Sequence, residues 1–387
     1  MRHGSYRDTW AEVSLDAIEQ NIKAFRNYIQ PQSKLMAVVK ADAYGHGAVE
    51  VAKSAIDAGA DYLAVALLDE AIQLRQAGIR FPVLVLGYTV PEAAEEAIRN
   101  DITLTVYTQD VAESIEKAAD KLGETTRIHI KIDSGMNRIG IKTKAGALDL
   151  IQSIQSQHVI VEGIFTHFAD ADNPDPTYTM KQFEYFTKLI DYLEKHNISI
   201  PIQHCCNSAG TIAYPKMHLD MVRVGVSLYG LYPSDHLQSK ISLRQAMSFK
   251  TKPVMIKTVE ANQPISYGCT FSPESQSKIA TIPVGYADGF SRSLSNKGNV
   301  TVHGVRVPIV GRICMDQAMI DVTGIEELNQ NDVITIFGDP HDGYISMKEV
   351  ADQMNTIHYE TACLIGRRVP RVYIEGGKIV KEKGLVT

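Results

Sequence analysis

Between residues 34 and 230, short and nearly continuous apolar runs alternate with stretches whose apolar residues fall three and four apart. The runs are Leu35–Val39, Tyr62–Ala66, Pro82–Leu86, Ile102–Val106, Ile128–Ile132, Val161–Thr166, Ile200–His204 and Met221–Val224. Their length predicts strands, and their weak polar alternation predicts strands covered on both faces. The intervening stretches, such as Ala48–Ala58 and Tyr178–His196, carry the spacing of amphipathic helices. Eight such units predict a parallel sheet closed into a (β/α)8 barrel, and a span of roughly 200 residues sits at the lower end of that fold's size range.

After about residue 244 the helical spacing fades. Val254–Val259, Ser277–Pro283, Asn299–Val310, Ala318–Val322 and Asp332–Phe337 read as β segments, with His303-Gly304 as a tight hairpin turn. One short helix is expected at Ser346–Met354. The expected architecture is therefore α/β: a (β/α)8 TIM barrel over residues 1–244, followed by a mostly β C-terminal domain over 245–387.

Composition narrows the function classes. A formal charge of −6 offers no electrostatic case for nucleic acid or for an acidic membrane surface. Met1–Trp10 is polar and lacks the apolar core of a secretory leader, and no apolar run approaches the roughly 20 residues that span a bilayer. The five cysteines show no CxxC spacing, which points to a reduced, cytoplasmic setting.

Barrel enzymes carry their reactive groups at the C-terminal ends of the strands. Here those ends supply Lys40, His167, Asn207 and Ser208, Arg223 and Gly225, with Arg138 in the loop after the fifth strand. A lysine after three apolar residues either reaches a carboxylate such as Asp42 or is used chemically, because a desolvated amine has a lowered pKa. Small and hydroxylic residues follow strands seven (Asn207–Thr211) and eight (Gly225–Ser227), where barrels often hold a phosphate. Helix capping accounts for either loop alone. A reactive lysine together with a phosphate site points to pyridoxal 5'-phosphate. Asp170 and Asp172 lack a Cys/His partner set and read as solvated loop acids, so no metal is expected.

Ala37–Gly47 resembles the cofactor-lysine signature of alanine racemases. The resemblance runs the length of the chain, through Met136–Gly140, Thr166–Ala169, Asn207–Ala209, Val222–Gly225, Ser266–Gly268, Gly285–Gly289, Gly311–Gln317 and Arg368–Arg371. It implies a pyridoxal-phosphate enzyme that interconverts L- and D-alanine, supplies D-alanine for peptidoglycan, and works as a head-to-tail homodimer with shared sites. Lys40 would carry the cofactor, and Tyr267, contributed by the other subunit with Met315, would be the opposing acid/base. Tyr44, Ser208, Gly225, Val226 and Tyr359 would hold the phosphate; Arg223 would face the ring nitrogen and Arg138 the ring oxygen. Arg138 and the Met315 backbone would meet the substrate carboxylate. His167, Arg223 and Asp316 would support catalysis, and Tyr286, Arg292 and Arg312 would line the entrance. Lys131 matches a position that some family members carry as a CO2-modified lysine. Asn137 stands where some members have glycine, which predicts a differently shaped loop around Arg138. Cys363–Arg368 is an unusual version of its segment.

Racemisation removes a proton from one face and returns one to the other, so a lysine and a tyrosine fit as two bases. A fixed charge at Arg223 would keep the ring nitrogen unprotonated and favour reprotonation over transamination. A related barrel decarboxylase would carry an acid there instead. A non-catalytic cofactor-holding barrel would lack the roughly 140 residues beyond the barrel.

Overall fold

The computed structural model describes residues 6–385; the first five residues of the polar N-terminal stretch and the last two of the chain lie outside it. Strand β1 (Thr9–Ser14) leads into helix Leu15–Tyr28, whose N-cap Ser14 accepts from the Ala17 N–H. Eight parallel strands follow: β2 (Lys34–Val38), β3 (Tyr62–Val65), β4 (Val83–Val85), β5 (Thr103–Val106), β6 (Thr126–Lys131), β7 (Val159–Phe165), β8 (Ile202–His204) and β9 (Met221–Val224). They pair in the order β8-β7-β6-β5-β4-β3-β2-β9. At the remaining seam the Asp220 N–H donates to the Gln203 carbonyl (3.1 Å) and the Arg223 N–H to Cys206 (3.0 Å), so the barrel is nearly closed. Helices cover it through small and apolar residues at helical spacing, as with Val111, Ala112, Ile115, Ala118 and Ala119 on Gln109–Leu122.

The rest of the chain is mostly β, as the patterning predicts: β10 (Met247–Thr251), β11 (Met255–Val259), β12 (Ser277–Ile282), β13 (Asn299–Val302), β14 (Val305–Pro308), β15 (Ala318–Asp321), β16 (Ile334–Phe337), β17 (Arg371–Glu375) and β18 (Lys378–Lys383). The β13–β14 hairpin turns through His303 (φ 48°) and Gly304 (φ 78°), the paired positive φ of a two-residue hairpin loop. Ser346 caps helix Met347–Met354. A second helix, His358–Leu364, lies outside the sequence expectation. No described helix is long and apolar enough to cross a membrane.

One expectation is corrected. Residues 9–14 fall in the segment 1–244 assigned to the barrel, yet β1 lies inside the C-terminal sheet, whose order is β14-β13-β16-β10-β1-β17-β18. It runs antiparallel to β10 and parallel to β17. Its inward residues Thr9, Ala11 and Val13 are fully buried, and the Thr9 and Thr251 hydroxyls pair at 2.8 Å. Both faces of a β1 without β10 and β17 would leave backbone groups unpaired, so the two units are stitched at the start of the chain.

The turn after β2 is conformationally costly. Ala41, Asp42, Ala43 and Tyr44 all lie at φ between 52° and 55°. A left-handed residue other than glycine costs roughly 1–2 kcal/mol. Internal bonds from the Ala43 N–H to Val39 and from the Gly45 N–H to Ala41 offset part of this. The Asp42 carboxylate accepts the Ala48 N–H (2.8 Å). Glu70 takes the Ala41 N–H on one oxygen (2.6 Å) and the Ala66 and Leu67 N–H groups on the other (2.7 and 3.2 Å). It ties the turn to the end of β3. Glu70→Ala is therefore expected to lower the free energy of urea unfolding by about 1–2 kcal/mol for lost charge-assisted bonds to backbone, and the unfolding midpoint with it. An unchanged midpoint would show that the turn holds itself.

Candidate active site

The C-terminal ends of the barrel strands open on a cavity of about 410 Å3. Lys40 reaches it from the start of the left-handed turn and Tyr44 from the turn's end. Lys131 enters from the last position of β6, Arg138 from the following loop, and His167 from the residues after β7. Asn207 and Ser208 come from the start of helix Ser208–Ala213, and Arg223 from β9. Gly225, Val226 and Tyr359 complete the expected set. Ser208 Oγ accepts the Gly225 N–H at 2.9 Å, joining the loops after β8 and β9. A Cβ on Gly225 would stand 2.7 Å from Tyr44 Oη, so only glycine lets that phenol approach.

Charge dominates this cavity. Lys40, Lys131, Arg138 and Arg223 line it, against the one lining carboxylate of Asp172 among the described residues. Burial lowers the Lys40 amine below the ordinary lysine range, and the Arg138 charge lowers it further. Asp42, the acid expected to neutralise Lys40 in the alternative reading, instead caps Ala48. Lys131 is lowered well below its usual range by burial, then by Arg223 and Arg138. Arg223 is buried and lowered to about 10, so it stays cationic at neutral pH. Its Nη atoms donate to the Thr166 and Cys205 carbonyls (2.8 and 3.1 Å) and meet His204 Nδ1 and His167 Nδ1 at 3.0 and 3.2 Å. With Arg223 so near a buried ring, burial and charge hold His167 neutral, well below the usual histidine range.

Asn137 lies at φ 56°, a conformation that asparagine reaches more readily than most residues and that glycine also adopts. Its amide donates to the Gly135 carbonyl, and its N–H donates to Asp133. Asn137 thus occupies a conformation that glycine also reaches, held by its bonds to Gly135 and Asp133.

The remaining expected residues lie apart. Tyr267, Tyr286, Arg292, Arg312, Met315 and Asp316 line a different cavity, in the β unit. Tyr267 is 73% exposed and Met315 52%. Asp316 accepts from Arg368 (2.6 Å), which also pairs with the buried Asp288 (2.9 Å). Within one chain the two groups do not share a cavity. A larger space of about 660 Å3, beside Tyr232, Ser346 and His358, includes none of the expected residues and lies off the strand ends.

A phosphorylated aldehyde cofactor suits the first cavity: an amine with depressed pKa, excess cationic groups, and a joined pair of small-residue loops. Residues missed by sequence reasoning are His129, Glu162, Tyr62 and His204, which lie beneath Arg223 inside the barrel, and Cys363, which lines the cavity wall. The signal for the first of these was present in Ile128-His129-Ile130-Lys131-Ile132-Asp133, whose strict alternation sends His129 and Lys131 to one face.

Two family models match the chain: alanine racemase, N-terminal domain, over residues 13–233, and alanine racemase, C-terminal domain, over 246–373. Alanine racemase 2 of Oceanobacillus iheyensis is 64% identical over 386 residues, covering 100% of this chain and 98% of that protein. The alanine racemase of Methanococcus maripaludis is 52% identical, covering 94% and 98%. Among solved structures, alanine racemase of Clostridium difficile 630 superposes with a TM-score of 0.94 at 41% identity, covering 99% and 100%. The Bacillus anthracis alanine racemase with bound L-Ala-P gives 0.92 at 40%, covering 99% of each chain. The chain belongs to the alanine racemase family, isomerases that interconvert L- and D-alanine.

Proposed function

We propose that this racemase uses pyridoxal 5'-phosphate and two bases, Lys40 and Tyr267, in a head-to-tail homodimer whose sites each draw on both chains. The observation that carries the reading is the separation just described. Lys40 is enclosed with the cationic cluster, while Tyr267 stands exposed in another cavity of the same chain. A second copy supplies the missing base to each site.

When bound, the cofactor supplies an electron-withdrawing ring that acidifies the α-proton of an attached amino acid. Tyr44, Ser208, Gly225, Val226 and Tyr359 would hold its phosphate. Arg223, being cationic, would sit toward the ring nitrogen and disfavour its protonation, which would favour rapid return of the proton. Lys40, with its depressed pKa, takes or gives the proton at Nζ on one face. Tyr267 does so at Oη on the other. An unperturbed phenol titrates near 10, so it needs a partner favouring the phenolate; neutral His167 held by Arg223 provides one. Arg138 and the Met315 backbone hold the alanine carboxylate. Tyr286, Arg292 and Arg312 line the way in, and Asp316 supports this group through Arg368.

Lys131 fits a carbamate. Its depressed pKa leaves neutral amine available, and that neutral amine, on adding CO2 with loss of one proton, becomes an anion beside Arg138. A high-resolution map in the presence of bicarbonate should show the added carboxylate; a plain ammonium would reject it. The reaction supplies D-alanine for peptidoglycan in the cytoplasm, a setting consistent with five unpaired cysteines.

Two further outcomes are expected. Borohydride treatment of the yellow holoenzyme should leave the cofactor covalently on the peptide containing Lys40; attachment at another lysine removes Lys40 from its role. Lys40→Ala and Tyr267→Phe homodimers should each lose nearly all activity. Mixing the two with subunit exchange should restore part of it, because a mixed dimer holds one site with both bases. Absence of rescue, with mixed dimers demonstrated by mass spectrometry, would rule out the shared site.

A further inference from the structure

Beneath the cavity, toward the N-terminal ends of the strands, polar side chains run through an interior that barrels usually fill with branched apolar residues. Arg223 Nη1 lies 3.0 Å from His204 Nδ1. His204 Nε2 lies 2.9 Å from His129 Nδ1, and His129 Nε2 lies 3.1 Å from Glu162 Oε2. Tyr62 donates to the same Glu162 oxygen at 3.0 Å, and its own hydroxyl pairs with Thr103 at 2.8 Å. Both imidazoles are fully buried, whereas the Glu162 side chain is 20% exposed.

The two ends fix the direction of this chain. A guanidinium can only donate, and a carboxylate can only accept. His204 must therefore present a bare Nδ1 to Arg223. A neutral His204 then carries its proton on Nε2 and donates to His129 Nδ1. His129 in turn carries its proton on Nε2 and donates to Glu162. Burial holds both imidazoles below the usual histidine range, and nearby Arg223 adds to this. Burial pushes the Glu162 carboxyl up, but the bonds from His129 and Tyr62 and the Arg127 charge outweigh it and leave it lowered. Each ring is thus allowed one tautomer. With the other, His204 would turn an N–H toward the N–H of Arg223, and the guanidinium would have to move.

We infer that Glu162 is a remote positioning residue of the racemase site, which fixes the Arg223 guanidinium through the tautomers of His129 and His204. The fold is bent to seat it. The β6–β7 register steps from Ile128 opposite Val161 to His129 opposite Gly163, so Glu162 is the extra residue of a bulge. Bulges in parallel pairs are rare and re-aim a side chain. Next to it, a Cβ on Gly163 would stand 2.4 Å from His129 Nδ1, so that residue's lack of a side chain makes room for the ring. On the other side Phe165 stacks on His204, with centroids 4.8 Å apart and planes 13° from parallel.

The effect on rate rests on the proposed place of Arg223 against the cofactor; the tautomers do not. Neutron diffraction of the deuterium-exchanged holoenzyme should show deuterium on Nε2 of His129 and His204 and none on Nδ1. Deuterium on either Nδ1 would overturn the inference whatever the enzyme's mechanism. Glu162→Leu removes the terminal acceptor and should lower kcat for alanine on the order of tenfold, with KM within about twofold, since no substrate contact is touched. Glu162→Gln keeps an acceptor oxygen and should retain most of kcat. Equal losses in the two variants, or an unchanged kcat in a folded Glu162→Leu, would also overturn it. If the leucine variant does not fold, the glutamine variant and the neutron map decide.

Discussion

Placing a guanidinium among the strands of a nearly closed sheet forfeits its hydration, so its donors must find fixed acceptors. Arg223 is so placed, and much of the barrel is arranged around that demand. The carbonyls of Thr166 and Cys205, at the ends of neighbouring strands, take two of its bonds, and two histidine rings take others. Its own N–H closes the β8–β9 seam through Cys206. The same residue therefore joins the barrel, neutralises His167, and sets the positive character of the cavity. The backbone of Arg223 closes the seam while its guanidinium acts on His167 and on the charge of the cavity, so one residue serves both conformation and electrostatics.

Much of the architecture was readable in the order of residues because the signal for it is local. Eight apolar runs at barrel spacing need no knowledge of distant partners, and each run found its strand. The hairpin at His303-Gly304 was equally local. Strand β1 was not readable as part of the C-terminal sheet, because its partners lie more than 230 residues away and Thr9, Ala11 and Val13 form only a modest apolar stripe. The left-handed turn at Ala41–Tyr44 was hidden for another reason. Its residues include no glycine, and one of its N–H groups is met by the Glu70 carboxylate arriving from beyond β3. Propensity argues for the opposite hand.

The site was legible to a similar depth. Strand-end position and motif together drew Lys40, His167, Ser208 and Arg223 into one set, and those residues line one cavity. The layer below them was overlooked. His129 belongs to a run that had been read as apolar, although its alternation was visible; Glu162 faces inward only because of a bulge that no single-sequence pattern marks. Likewise the strand pattern gives no hint that Asn137 sits left-handed.

The insertion of β1 between β10 and β17 bears on how the molecule comes into being. On the ribosome, residues 9–14 emerge long before Arg371–Glu375, so their parallel partner does not exist while the barrel is being made. The barrel must assemble with an unsatisfied ribbon before its first helix, one edge open until β10 is made and the other until β17 is made. Contacts of such long sequence separation slow the final step of folding. Once closed, the sheet holds Thr9–Ser14 and Arg371–Glu375 side by side, so the strand that leads into the barrel's first helix is anchored in the β unit.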